Sequence, residues 1–148
     1  MPKSQNHEKR RIKLAIQYEK ITNFKNDFLY KLSRKLVDEN QVIAIESLKI
    51  KSMLKNRRLA KSIQDCSWYK FITILDYKAK WQYNCQVVKV DTFFPSSQIC
   101  SSCGYKNPKV KDLSIREWEC PVCHATHGRD TNASINILNE GKKLLSVA

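Results

Sequence analysis

The chain has 148 residues, with 27 Lys+Arg against 14 Asp+Glu and a net charge of +13. That length suits about one domain with a modest core and excludes a long multidomain machine. Hydrophobic residues make up 42% and charged residues 28%, the composition of a globular protein and not of a disordered tail or a fibrous repeat. The surplus of positive charge sets up a field that attracts polyanions, of which nucleic acid is the commonest in the cytosol; simple solubility is the plainer alternative. No stretch approaches the roughly 18 apolar residues of a membrane span, and the opening MPKSQNHEKRR has no apolar signal core. A cytoplasmic address and no membrane partner are therefore expected.

In chain order, Ile12, Ile16, Phe24, Phe28, Leu32 and Leu36 recur in four-residue steps between about residues 8 and 39. This predicts one long amphipathic helix, or two with a break near Asn23. Arg10, Arg11, Lys13, Lys20, Lys25, Arg34 and Lys35 make its polar side basic, either to lie along phosphates or simply as a solvated face. Residues 42–45 form a short apolar run rich in branched side chains, which predicts a buried strand with Glu46 at its end. Residues 48–62, including Lys55, Arg57 and Arg58, show no clean period and are expected to be a loop or short helical turns. Phe71, Ile74, Leu75, Lys78 and Trp81 then follow helical spacing over residues 67–83, with Ser67 as the N-cap. Residues 86–90 are a second strand, and Pro95 closes the extended piece after it. Residues 113–119 suit a hairpin. The last helix is placed over residues 131–143, with Gly141 near its end. Trp68, Trp81 and Trp118 read as core residues more readily than as stacking platforms. With three Gly and four Pro in the whole chain, no flexible linker divides it.

Four of the six cysteines form two pairs, Cys100/Cys103 and Cys120/Cys123, each with two residues between the sulfurs. Such a pair on a tight turn points two sulfurs inward, and two such knuckles make the tetrahedral four-thiolate shell that zinc prefers. A closed shell leaves no position for water, so the expected Zn2+ is structural. Disulfides are the alternative, disfavoured by a reducing cytosol; His124 or His127 replacing a thiolate is another. Gly104 follows the first knuckle, where a positive φ is useful. Cys66 and Cys85 lack paired spacing and read as ordinary small buried residues.

Two carboxylates stand out. Glu46 closes a buried strand, and Asp130 stands at the start of the last helix, where capping alone accounts for an acid. If they converge, hard cations such as Mg2+ would hold them together.

Several segments together resemble one family. VIAIESLKIKSM, from residue 42, is similar to the second nuclease motif of the TnpB (OrfB) proteins, transposon-encoded RNA-guided DNA endonucleases. LAKSIQDCSWYKFITILDYKAKW, VDTFFPSSQICSSCG, REWECPVC and RDTNASINIL match further family blocks in the same order, and the helical segment from about residue 9 to 39 also resembles the family's helix before that motif. The resemblance implies a partial RNase H-like (RuvC-like) α/β fold with a long N-terminal helix and an inserted four-Cys zinc ribbon. The expected division is residues 1–96 for the partial nuclease region, 97–127 for the ribbon and 128–148 for the last motif and C-terminal helix. It further implies two-metal DNA hydrolysis by three acids, with an RNA from the transposon end as guide. Glu46 matches the second acid, Asp130 the third, and Cys100, Cys103, Cys120 and Cys123 the zinc ligands. The first acid, in a DxG context upstream of the long helix, has no match in these 148 residues. Gly128 stands where the family usually carries an acid, and His124 where it usually carries Gly.

The expected protein therefore binds DNA, a transposon-end guide RNA and zinc, through Arg10, Arg11, Lys13, Arg34, Lys35, Lys55, Arg57 and Arg58 among others. It does not cleave alone, and Mg2+ enters only if the nuclease site is completed. One alternative is a nuclease half completed in trans by a second chain that supplies the missing strands and Asp. Another is a non-catalytic regulatory module that binds nucleic acid.

Overall fold

The computed structural model of the protein describes residues 4–82 and 84–147. The first element, α1 (Gln5–Glu39), is a single helix of 35 residues, unbroken at Asn23. Ser4 caps it by accepting from the His7 backbone N–H at 3.4 Å, which satisfies one of the orphan donors of the first turn. Strand β1 (Val42–Glu46) follows, then two short helices, α2 (Ile50–Met53) and α3 (Ala60–Asp65). Helix α4 (Trp68–Trp81) leads into β2 (Gln86–Val90). A 3-10 turn (Pro108–Lys111) and strands β3 (Glu117–Glu119) and β4 (Thr126–Gly128) precede the last helix, α5 (Arg129–Val147).

β1 and β2 pair in parallel, Ile43 opposite Val87 and Ala44 opposite Val88. Parallel neighbours need a crossover, and α2 to α4 supply it. Successive residues of a strand face opposite sides, so this two-stranded sheet is covered twice. On one side Ile43 and Val87 pack with Val37 of α1 and with Leu75 and Ala79 of α4. On the other side α5 crosses the sheet at Gly141, where an added Cβ would lie 2.7 Å from the Ala44 Cβ. Gly141 is thus not the end of a helix. It sits buried inside α5, because only a residue without a Cβ lets the helix backbone approach the sheet this closely.

The direction of α5 follows from its contacts. Leu145 shares a cavity with Cys85, Gln86 and Val87 at the start of β2, Gly141 lies over the middle of both strands, and Asn136 donates to the Ser96 and Ile99 carbonyls beyond the end of β2. α5 therefore runs antiparallel to the strands, and its N-terminus lies off their C-terminal ends.

Three further expectations are corrected. The buried row of α1 is Leu29, Ser33 and Val37, one step from the apolar row read in the sequence, whose Ile12, Ile16, Phe24 and Phe28 are exposed. Small Ser33 lets α4 approach, and Lys78 of α4 donates to its Oγ at 3.0 Å. Ser67 precedes α4 with φ 51° and makes no side-chain cap bond. Cys85 is buried, but Cys66 is exposed.

Candidate functional site

The two knuckles fold alike because the same hydrogen bonds close them. In the first, the Gly104 N–H donates to the Cys100 carbonyl and the Cys100 N–H to the Tyr105 carbonyl, at 2.9 and 2.8 Å. In the second, His124 N–H donates to the Cys120 carbonyl and Cys120 N–H to the Ala125 carbonyl, both at 2.9 Å. Each turn needs a left-handed residue after its second cysteine. Gly104 has φ 79° and His124 φ 58°, so His124 takes a conformation that costs a residue with a Cβ of the order of 1 kcal/mol. Its Nδ1 lies 3.0 Å from Glu119 Oε1, which anchors it outside the cluster.

The hairpin of β3 and β4 pairs Trp118 with His127 in register and carries the second knuckle at its end. The four cysteine sulfurs all lie within 4.8 Å of one another, with Cys100–Cys123 and Cys103–Cys120 both at 3.6 Å. A disulfide needs about 2.0 Å, whereas sulfurs about 2.3 Å from one tetrahedral zinc stand about 3.8 Å apart. The donor set and its spacing therefore fit a four-coordinate zinc.

Charge makes the same point. Burial pushes the Cys120 thiol up, but N–H groups of Cys123 and Val122 and the neighbouring Cys103 and Cys123 thiols outweigh it and bring it down to about 6. At Cys103 the Tyr105 N–H works in the opposite sense to burial and the three other sulfurs, which prevail and push it up to about 12. Cys123 is pushed up as well, so the Cys103 and Cys123 thiols resist joining a Cys120 thiolate, as like charges at close range do. His127 is buried with its Nε2 3.0 Å from Cys100 Sγ, and its ring lies 4.9 Å from that of Trp118. It partners a ligand sulfur as an outer neighbour.

α5 is tied to the first knuckle by two asparagines that sequence reasoning missed. Asn132 accepts from the Ser101 N–H at 2.9 Å and donates to the Ile99 carbonyl at 2.6 Å. Asn136 donates to the same carbonyl at 2.6 Å and to that of Ser96 at 2.8 Å. Their spacing of four residues, flanking Ala133 and Ile137 on a helix face, was the available signal. Arg129, also buried, donates from Nη1 to the Asp112 carbonyl at 2.6 Å.

These ties fix the first turn of α5 and with it Asp130, which is exposed in that turn. The helix begins two residues earlier than its sequence pattern indicated. Glu46 ends β1 opposite Val90, half-buried. Alternation along the strand puts it on the face of Ala44, the face that α5 crosses. Glu46 thus lies on the sheet face that α5 crosses, and Asp130 lies in the first turn of α5, beyond the C-terminal ends of the strands. Among the described residues, eight of the fourteen acidic side chains lie within 4.0 Å of a basic one, and Glu46 and Asp130 are not among those eight.

The basic residues are less concentrated than the sequence pattern implied. Neighbours on a helix stand about 100° apart around its axis, so Arg10 and Arg11, or Arg34 and Lys35, surround α1 and do not form one stripe. Arg11 pairs with Glu8 at 2.5 Å and Arg34 with Asp38 at 2.8 Å. Lys35 lies 4.0 Å from Glu39. Arg10, Lys13, Lys55, Arg57 and Arg58 are exposed.

Two family models match the chain: one described as a "Probable transposase" over residues 1–57, the other as the "Cas12f1-like, TNB domain" over residues 68–137. A protein of Streptomyces pristinaespiralis named "Putative RNA-guided DNA endonuclease" is 44% identical over 93% of this chain. The chain belongs to the TnpB (OrfB) family. Another relative, InsQ of Escherichia coli strain K12, named "Putative RNA-guided DNA endonuclease InsQ", is 30% identical over 97% of the chain. The "TnpB-like protein L79" of Acanthamoeba polyphaga mimivirus is 32% identical over 85% of it. The chain spans 34%, 39% and 24% of the length of these three relatives. Its fold matches 39% of a chain from the "Cas12f1-sgRNA-target DNA complex", with a TM-score of 0.63 and 22% identity over 90% of this chain.

Proposed function

We propose that these 148 residues are the nucleic-acid-binding, zinc-stabilised C-terminal part of a TnpB-type nuclease, which binds DNA or RNA but does not cut by itself. The observation that carries the reading is the shared address of Glu46 and Asp130. Glu46 ends β1 on the face that α5 crosses, and the first turn of α5, with Asp130, lies off that same end of the β1–β2 sheet, which supports the RuvC-like reading of the two acids. On this reading they are two of the three metal-binding carboxylates of a two-metal site, for which Mg2+ would supply Lewis acidity. Asp91 follows β2 at the same end, but its Oδ1 accepts from the Phe93 N–H at 2.7 Å and is committed to that turn. Residues 97–127 are the zinc ribbon, residues 1–96 and 128–148 the flanking parts of the nuclease region, and the protein works as a transposon-associated, DNA- and RNA-binding component.

Arg10, Arg11, Lys13, Arg34, Lys35, Lys55, Arg57 and Arg58 supply phosphate contacts, in keeping with the charge of +13. Affinity carried by such contacts falls steeply with salt. Binding of a labelled DNA or RNA oligonucleotide to the zinc-loaded chain should weaken at least about tenfold between about 50 and 200 mM salt. Flat binding over that range, or none at either salt, contradicts the reading.

One observation favours a second reading. The sheet has two strands among the described residues and is covered on both faces, an arrangement below the usual strand count for independent stability. The outer edge of β1 suits an added strand, so a second chain bearing the missing strand and its Asp would complete the nuclease in trans. Metal-dependent cleavage that appears only on mixing with such a segment supports this; no cleavage in the mixture removes it.

A further inference from the structure

At the end of the sheet opposite Glu46, on the seam between α1 and α4, rings and cations gather around an open cavity of about 450 Å³. Tyr30, Arg34, Tyr77, Lys78, Trp81 and Gln82 line it. Trp81 is 74% exposed and Tyr77 50%, although the sequence pattern placed Trp81 in the core. The two lie one helical turn apart on α4, with ring centroids 5.3 Å apart and planes tilted by 51°. The floor is fixed from below. Lys78 donates to the Tyr30 carbonyl and to Ser33 Oγ, and its Nζ lies 5.1 Å from the centre of the Tyr30 ring. Asp38 accepts from Arg34 Nε at 2.8 Å and from Gln82 Nε2 at 2.7 Å. Asp38 is thereby occupied, and the Arg34 guanidinium is oriented through Nε, its outer N–H groups making no hydrogen bond among the described residues.

A purely apolar partner would cover the rings but strip water from Arg34 and Lys78 without replacing it, which is costly. A nucleotide answers both needs, because every base has a π-face for a ring and every linkage has an anion for a guanidinium. Base faces are hidden inside a duplex, so the fitting occupant is unpaired.

We propose that Tyr77 and Trp81 form a stacking platform for a nucleobase of a single-stranded polynucleotide, with Arg34 receiving an adjacent phosphate. This rests on the nucleic-acid-binding reading above and adds to it a place on the surface and a preference for single strands. Stacking of one base on an aromatic residue contributes about 1–3 kcal/mol by alanine substitution.

The test compares the full zinc-loaded chain with its Trp81→Ala, Trp81→Phe and Tyr77→Leu variants. The probes are an oligothymidylate of about 12 nucleotides, within the usual single-strand site sizes, and a DNA duplex of similar length. Trp81→Ala should weaken single-strand binding about 5- to 150-fold and Trp81→Phe less, with duplex binding unchanged. Single strand should quench tryptophan emission in the parent chain and not in Trp81→Phe. Circular dichroism identifies any variant that fails to fold, and the conservative Phe substitution then decides through the loss of quenching. If all variants bind the single strand as the parent does and no quenching occurs, the platform is overturned while nucleic-acid binding stands. If no oligonucleotide binds at low salt, both fall. If Trp81→Ala changes the sedimentation of the protein and leaves oligonucleotide affinity alone, the face docks protein and the proposal is overturned.

Discussion

Every residue from 9 to 24 of α1 is exposed, apolar ones such as Phe24 at 77% included. The C-terminal part has the opposite character. Its buried residues include four polar or charged side chains, His127, Arg129, Asn132 and Asn136, beside Cys100, Cys120, Val110 and Trp118. The start of α1 owes its helix to propensity, a cap and pairs such as Lys31–Asp27 at 2.7 Å further along, with its first turns exposed among the described residues. The knuckles and the start of α5 owe their shape to directed hydrogen bonds around four clustered sulfurs. Damage to the two regions should therefore scale differently.

The largest effect is expected from Cys100→Ser together with Cys120→Ser. Metal analysis should find about one zinc in the parent chain and none in the variant. The binding free energy of such sites, of order 10 kcal/mol in small finger peptides, is also folding energy, so the ribbon should become protease-sensitive while the α1–α4 seam persists. Next, Asn132→Ala removes both bonds to the Ile99–Ser101 segment and should cost about 2–4 kcal/mol by denaturant unfolding, because buried partners are left unmet. Gly141→Val forces a branched side chain into the 2.7 Å gap over Ala44. It should cost about 1–3 kcal/mol with zinc content unchanged, which separates packing of the sheet from integrity of the cluster.

Smaller effects sharpen the contrast. Asp38 is held below the usual carboxylate range by its bond from Gln82, then by Arg34. A depressed folded-state pKa contributes stability above the unfolded value of about 3.9 that is lost as pH falls through the lower folded one. Asp38→Asn should therefore lower stability at neutral pH and flatten the acid limb of the unfolding curve, so that variant and parent converge at low pH. His124→Gly relieves the left-handed residue and should stabilise the second knuckle by up to about 1 kcal/mol. Ile12→Ala and Ile16→Ala, on the uncovered turns, should stay within about 0.5 kcal/mol of the parent.

The parts of the fold that were legible in the sequence are those whose signal is local. Two CxxC pairs state their chemistry in eight residues, and the apolar runs at β1 and β2 read as strands because branched side chains leave few other options. Gly141 was misplaced because a glycine that ends a helix and one that admits a sheet look the same in a sequence. The buried row of α1 departs from the apolar pattern because its middle member, Ser33, is polar and satisfies its hydroxyl at the α4 contact, with the Tyr30 carbonyl and Lys78. Asn132 and Asn136 carried no apolar signal, and what they bind is backbone far away in the chain. At the candidate site, the identities of Glu46 and Asp130 were legible, but not their place at one end of the sheet, which depends on the parallel register of β1 with β2 and on the direction of α5.

The most direct test of the account is cleavage of single- and double-stranded DNA by the zinc-loaded chain with Mg2+ or Mn2+, beside its Glu46→Ala and Asp130→Ala variants. Equal background turnover by all three, with binding retained, is the predicted result. Metal-dependent cleavage by the parent chain that either substitution abolishes would contradict it, and would mean that these residues complete a nuclease site on their own.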